Sequence, residues 1–128
     1  MNHHIRDIGI ARHIGFYSDA IETDAGLRWL FTAGTPGITE DGEIPPGIEA
    51  QTRQAWKNVF AALDKAGMTT ADLVKVTTTL VNPADIPGYV KIRTEMLGEV
   101  KPAFMLQVVT QLVKAELLLE IEVIAARK

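Results

Sequence analysis

The sequence predicts an α+β fold in one domain, residues 1–128, with two helices covering one face of a single β-sheet. Three observations predict it. Stretches with the two-residue alternation of strands and the longer period of helices follow one another as strand, helix, strand, helix, strand, strand. The two helical stretches end at glycines, Gly67 and Gly98, as helices commonly do. Two amphipathic helices can cover one face of one sheet, yet the last strands carry apolar side chains on both faces.

The 128 residues are 47% hydrophobic and 23% charged, which supplies apolar material for one core. A net charge of -3, with the 13 basic residues scattered, gives no footprint for nucleic acid or anionic lipid. The absence of cysteine removes disulfides, thiolate catalysis and cysteine-based metal sites. Residues 1–14 hold charges and no apolar run, unlike a signal peptide, and no stretch approaches the ~18 apolar residues of a membrane span. A cytoplasmic protein is expected.

In chain order, His3 and His4 are adjacent on a polar terminus and read as solvated side chains. Gly15 suggests a turn into a short strand at residues 14–17. Residues 27–35, rich in aromatic and β-favouring side chains, read as a strand after a hairpin turn at Asp24, Ala25 and Gly26. Gly34 near its end suggests a bulge or a close backbone approach. Residues 36–47 hold three Gly and three Pro and form a loop. Residues 48–66 read as the first helix, with Ile48, Ala55, Val59, Ala62, Leu63 and Ala66 on one face and Trp56 and Phe60 packed beside it. Gln51 and other polar residues fall elsewhere.

Residues 69–72 form a turn and residues 74–81 a strand favoured by consecutive threonines. Asn82 and Pro83 have the chemistry of a helix start, and the second helix runs to about Leu97. Two strands follow, joined by a short polar turn. The first carries Phe104, Leu106 and Val108 on one face and Met105 and Val109 on the other. The second is apolar except for Glu120 and Glu122, which share a face. An acid in an apolar strand needs a partner or a job. A sheet apolar on both faces, with helices on one, needs a further cover, and the economical cover is a second copy of the chain.

The pattern resembles the Rid family, the YjgF/YER057c/UK114 or L-PSP endoribonuclease-like proteins. The resemblance rests on Ile14-Gly15-Phe16-Tyr17, Thr32-Ala33-Gly34, Gln51-Thr52-Arg53-Gln54-Ala55 with Asn58-Val59, and Ala66-Gly67 followed by Asp72-Leu73-Val74-Lys75. Lys101-Pro102-Ala103 and Glu120-Ile121-Glu122-Val123-Ile124-Ala125 complete it. It implies a chorismate mutase-like α+β fold of the bacillary type, a mixed sheet with two helices on one face. It also implies a homotrimer with small-molecule sites in intersubunit clefts, hydrolysis of reactive enamines and imines, and no metal or organic cofactor.

In deaminating members of the family an Arg follows the Pro-Ala pair and holds the substrate carboxylate through two parallel charged hydrogen bonds. Phe104 stands there in this chain, Leu106 two residues on, Ala33 where a Ser is common, and Val90 at the polar position of the second helix. Tyr17 and Glu120 match the family's site. The resemblance therefore assigns catalysis to Glu120, acting with a water, and to Tyr17, and ligand contact to Ala33, Gly34, Val90, Phe104 and Leu106. Arg12, His13 and Arg93 are the cations available to replace the lost Arg. The usual 2-imino acid substrates fit poorly, so an apolar or pathway-specific substrate is expected, with a non-catalytic binding module as the alternative.

Overall fold

The computed structural model describes residues 2–128. A two-stranded antiparallel ribbon pairs β1 (His3–Ile5) with β2 (Ile21–Thr23). The main sheet has five strands: β3 (Arg28–Phe31), β4 (Thr35–Pro36), β5 (Leu73–Leu80), β6 (Ala103–Val108) and β7 (Leu119–Arg127). Its order is β3-β7-β5-β6, with β4 beside β3 along β7. The β5–β6 pair is parallel and the others antiparallel, so the sheet is mixed. Helices α1 (Ile48–Lys65) and α2 (Ile86–Leu97) lie on one face. This is the α+β arrangement expected.

The core follows from alternation. Leu119, Ile121, Val123 and Ala125 of β7 and Val76 and Leu80 of β5 are buried with Ala55, Trp56, Val59 and Leu63 of α1. The helix ends are local chemistry: Gly67 at φ 69° and Gly98 at φ 60° adopt the left-handed conformation that closes a C-terminus. Asn82 accepts from Ala84 N–H at 2.9 Å to start the turn leading into α2.

Several expectations need correction. The strand expected at 27–35 is broken into β3 and β4, because the Thr32 hydroxyl accepts the Val123 N–H at 2.9 Å and interrupts regular pairing. The turn at 24–26 joins strands that do not pair, β2 having taken β1 as its partner. No strand forms at 14–17; a 3-10 turn, Ala11–His13, precedes it, and Ser18 bridges Ala103 at the sheet edge. β1 incorporates His3 and His4, so they are not a free tail; His4 pairs with Asp24 at 2.9 Å. The last two strands are not neighbours: β6 and β7 flank β5, and residues 109–118 cross its end. Gln51, assigned to a polar face, is buried because its amide donates to Glu116 O at 3.0 Å and accepts from Leu118 N at 2.9 Å, tying that crossing to α1.

Candidate functional site

The candidate residues fall into two groups on opposite faces of the sheet. Phe104 lies across from Val76 and Leu106 from Thr78, which places both on the helix-covered face. Glu120 lies across from Thr79, on the other face. Val76 and Thr79 are three positions apart on β5, about 10 Å along the strand. One chain therefore does not bring Phe104 and Glu120 together.

The first group gathers at the β6 edge. Ser18 fixes the incoming segment, its hydroxyl donating to Lys101 O at 2.6 Å and its N–H to Pro102 O at 3.1 Å. Asp19 holds the preceding loop by accepting the backbone N–H groups of Ile8, Gly9 and Ala11 at 2.9, 3.2 and 2.7 Å. These bonds, led by that from Ile8, hold the Asp19 carboxyl below its ordinary range. So anchored, the half-buried Tyr17 puts its ring 5.8 Å from Phe104. Arg93 also stands against Phe104, its Cζ 4.3 Å from the ring centroid. Lys101 Nζ lies 4.8 Å from the Phe16 ring centroid.

Behind Arg93 sits Tyr89, fully buried and hydrogen-bonded to Thr78. Burial pushes its phenol up, with the Thr78 bond and the Arg93 charge holding it partly back. A cavity of about 370 Å³ opens beside this group, lined by Arg12, Gly15, Phe16, Tyr17, Lys101 and the acids Asp7 and Asp19 among others. Val90 and Leu106 are half-buried and pack on the core, and His13 is exposed in its 3-10 turn.

The second group centres on Glu120, which is half-buried while Glu122 is exposed. Its carboxylate lies on Gly34, where a Cβ would stand 2.6 Å from Oε1 and 2.8 Å from Cδ. Gly34 is thus the close approach that its place in the sequence suggested. No donor among the described residues reaches this carboxylate, although Gln107 donates to Thr79 at 3.0 Å in the same row. Ala33 is exposed beside it. A half-buried acid with unspent acceptors can take a proton from water or hand one to a ligand. Among the described residues no His, Asp and Glu side chains cluster to hold a metal ion.

Sequence reasoning kept Arg93 as one of three cations but did not single it out. The signal lay in α2: Arg93 follows Tyr89 by four residues, so both side chains lie on one helix face.

A family model described as endoribonuclease L-PSP matches residues 10–127. A RutC family protein of Pyrococcus horikoshii is 41% identical over 117 residues, 90% of each chain. The crystal structure of YyfB from Yersinia pestis, described as a member of the conserved Rid family, superposes with a TM-score of 0.87 at 31% identity, covering 99% of this chain and 100% of that one. Escherichia coli TdcF, provisionally named a reactive intermediate deaminase, is 28% identical over 101 residues, covering 77% of this chain and 78% of its own. Its structure with bound serine gives a TM-score of 0.75 at 29% identity, over 90% and 91% of the two chains.

Proposed function

This chain belongs to the endoribonuclease L-PSP family, the Rid proteins, and we propose that it is a cytoplasmic hydrolase of a small reactive enamine or imine. An enamine first tautomerises to its imine. Water then adds to the carbon of the C=N bond, the hydroxyl of the adduct gives up its proton as the C–N bond breaks, and nitrogen leaves as ammonia while a carbonyl compound remains. Glu120 takes the proton from the attacking water and returns it to the departing nitrogen. Tyr17 orients the ligand. The observation that carries this reading is the Glu120 carboxylate lying on the bare Gly34 backbone with none of its acceptors spent.

The separation of Glu120 from the Tyr17–Phe104 group supports a cleft completed by a second copy. The face bearing Glu120 also exposes Trp29, Phe31 and Met105, an apolar surface that suits self-association in the homotrimer we infer. Within the cleft Phe104, Phe16 and Tyr17 favour a substrate with an apolar or unsaturated body.

The test generates imines from leucine and phenylalanine with an amino-acid oxidase and traps the unhydrolysed fraction with semicarbazide. Wild type should lower semicarbazone yield, and Glu120→Gln should lose about 10²- to 10⁴-fold of that rate. Equal rates would sink the proposal. The aromatic group also supports a second reading, a non-catalytic binding module. That reading expects no turnover by wild type and unchanged ligand affinity in Glu120→Gln.

A further inference from the structure

Arg93 is the one buried charged residue among the buried side chains of the described residues, at 9% exposure. Lys91 on the same helix instead reaches out to Glu49 at 3.2 Å. A guanidinium taken out of water is costly unless it is paired, and the usual partner is a carboxylate. The ion pairs among the described residues join His4, Arg6, Arg53, Lys91 and Arg127 to acids, and none involves Arg93.

Its neighbours are aromatic. Cζ stands 4.3 Å from the Phe104 ring centroid and 5.5 Å from that of Tyr89. Cation–π attraction offsets part of the cost of burial. A ring against the guanidinium occupies its face, whereas its N–H donors point outward in its plane. Nη2 lies near Gly15, where a Cβ would stand 4.0 Å from it and 3.6 Å from the Tyr17 ring. Arg93, Phe16 and Phe104 line a recess of about 20 Å³, and Phe16 also borders the larger cavity of about 370 Å³. Room for roughly one water remains at the guanidinium itself, with a ligand-sized space next to it.

We propose that Arg93 is the anion-binding residue of this cleft and receives the carboxylate of a small unsaturated ligand whose carbon body lies against Tyr17 and Phe104. This rests on the hydrolase reading above and narrows its substrate to a carboxylate-bearing enamine or imine. Phe104 is then a positioning residue: it holds the guanidinium plane and leaves in-plane N–H donors for a ligand beside the one that Tyr89 draws on. The cation then stands on α2 instead of β6, and among the apolar or pathway-specific substrates expected the ligand is one with an apolar body and one charged end.

Calorimetric titration with 2-oxobutanoate, and with its neutral primary amide, tests this without turnover. Wild type should prefer the acid. Arg93→Gln should weaken acid binding by about 10- to 100-fold and leave the amide unchanged. Arg93→Lys keeps the charge without the planar fork and should fall between. Phe104→Leu keeps Arg93 but removes its platform and should weaken acid binding several-fold. Circular dichroism and thermal unfolding check each variant. If Arg93→Gln does not fold, Arg93→Lys decides. Acid binding as tight as wild type in the deciding variant overturns the proposal, and so does a wild type with no preference for the acid. The hydrolase reading is judged separately. Wild type that binds acid through Arg93 and hydrolyses no imine would sustain the binding site and refute the catalytic one.

Discussion

At the scale of single residues the proposed chemistry rests on Glu120 and Gly34. Adding a methyl group at Gly34 brings Cβ within 3.0 Å of both carboxylate oxygens, but these are the far end of a flexible side chain. Gly34→Ala should therefore cost little stability, about 0.5 kcal/mol or less. It should swing the carboxylate aside and lower kcat/KM by about 100-fold, the usual consequence of misplacing a reacting group by an ångström. Urea unfolding beside the imine assay separates the two effects; unchanged turnover would show that Glu120 is not used where it lies. Gly34 was legible as a bulge or a close approach, the two usual reasons for a glycine at a strand end, and the Glu120 carboxylate lying on it fits the second. The contact of Arg93 with Phe104 was not legible. A long flexible side chain leaves no periodic trace of the element it leans on, so Arg12, His13 and Arg93 stood on equal terms until the fold separated them.

Between residues and fold stand two tethers that place the site. Asp19 binds the loop that leads to Tyr17, and its carboxyl is held below the ordinary carboxylate range by the Ile8 N–H and then by further backbone groups. A depressed folded-state pKa contributes stability above the unfolded value and loses it as pH falls through the folded one. The loop should thus stay fixed at neutral pH and loosen only below about pH 4. Amide chemical shifts of Ile8 and Ala11, followed by NMR from pH 7 to 2, should move together in that window in wild type and be displaced already at pH 7 in Asp19→Asn. A first transition near pH 6 would contradict this.

The second tether is Gln51, whose buried amide satisfies one carbonyl and one N–H of the crossing between β6 and β7. Gln51→Ala strands both and should cost about 1–3 kcal/mol in urea unfolding, with α1 retained. That crossing is also where sequence reading failed. Two successive apolar strands with a polar link look like a hairpin, and nothing local says that β5 will slide between them. The helices were legible because their caps and glycines are local signals; strand partners are decided by tertiary packing.

For the whole molecule the decisive pattern is the second apolar face. β7 buries Leu119, Ile121, Val123 and Ala125 against the helices, while across it the stacked pair Trp29 and Phe31 stays 47% and 68% exposed. Both rings lie on the face that carries Glu120, since Trp29 and Phe31 pair with Ala126 and Ile124. Water contact for two large rings on the face that carries a proposed acid is unfavourable for stability, and a second copy laid on that face removes the cost. The homotrimer proposed above should run in light scattering at about three times the 14.0 kDa chain mass. Phe31→Asp puts a charge into that contact without touching the core, and should shift the mass toward the single chain. If the cleft is shared, it should also abolish imine hydrolysis while leaving far-UV circular dichroism unchanged. A single-chain mass for wild type would refute the assembly. A monomeric Phe31→Asp protein that still turned over substrate would show that Glu120 works without a neighbour, and the two halves of the site would then have to meet within one chain, which the opposite faces of β5 do not allow.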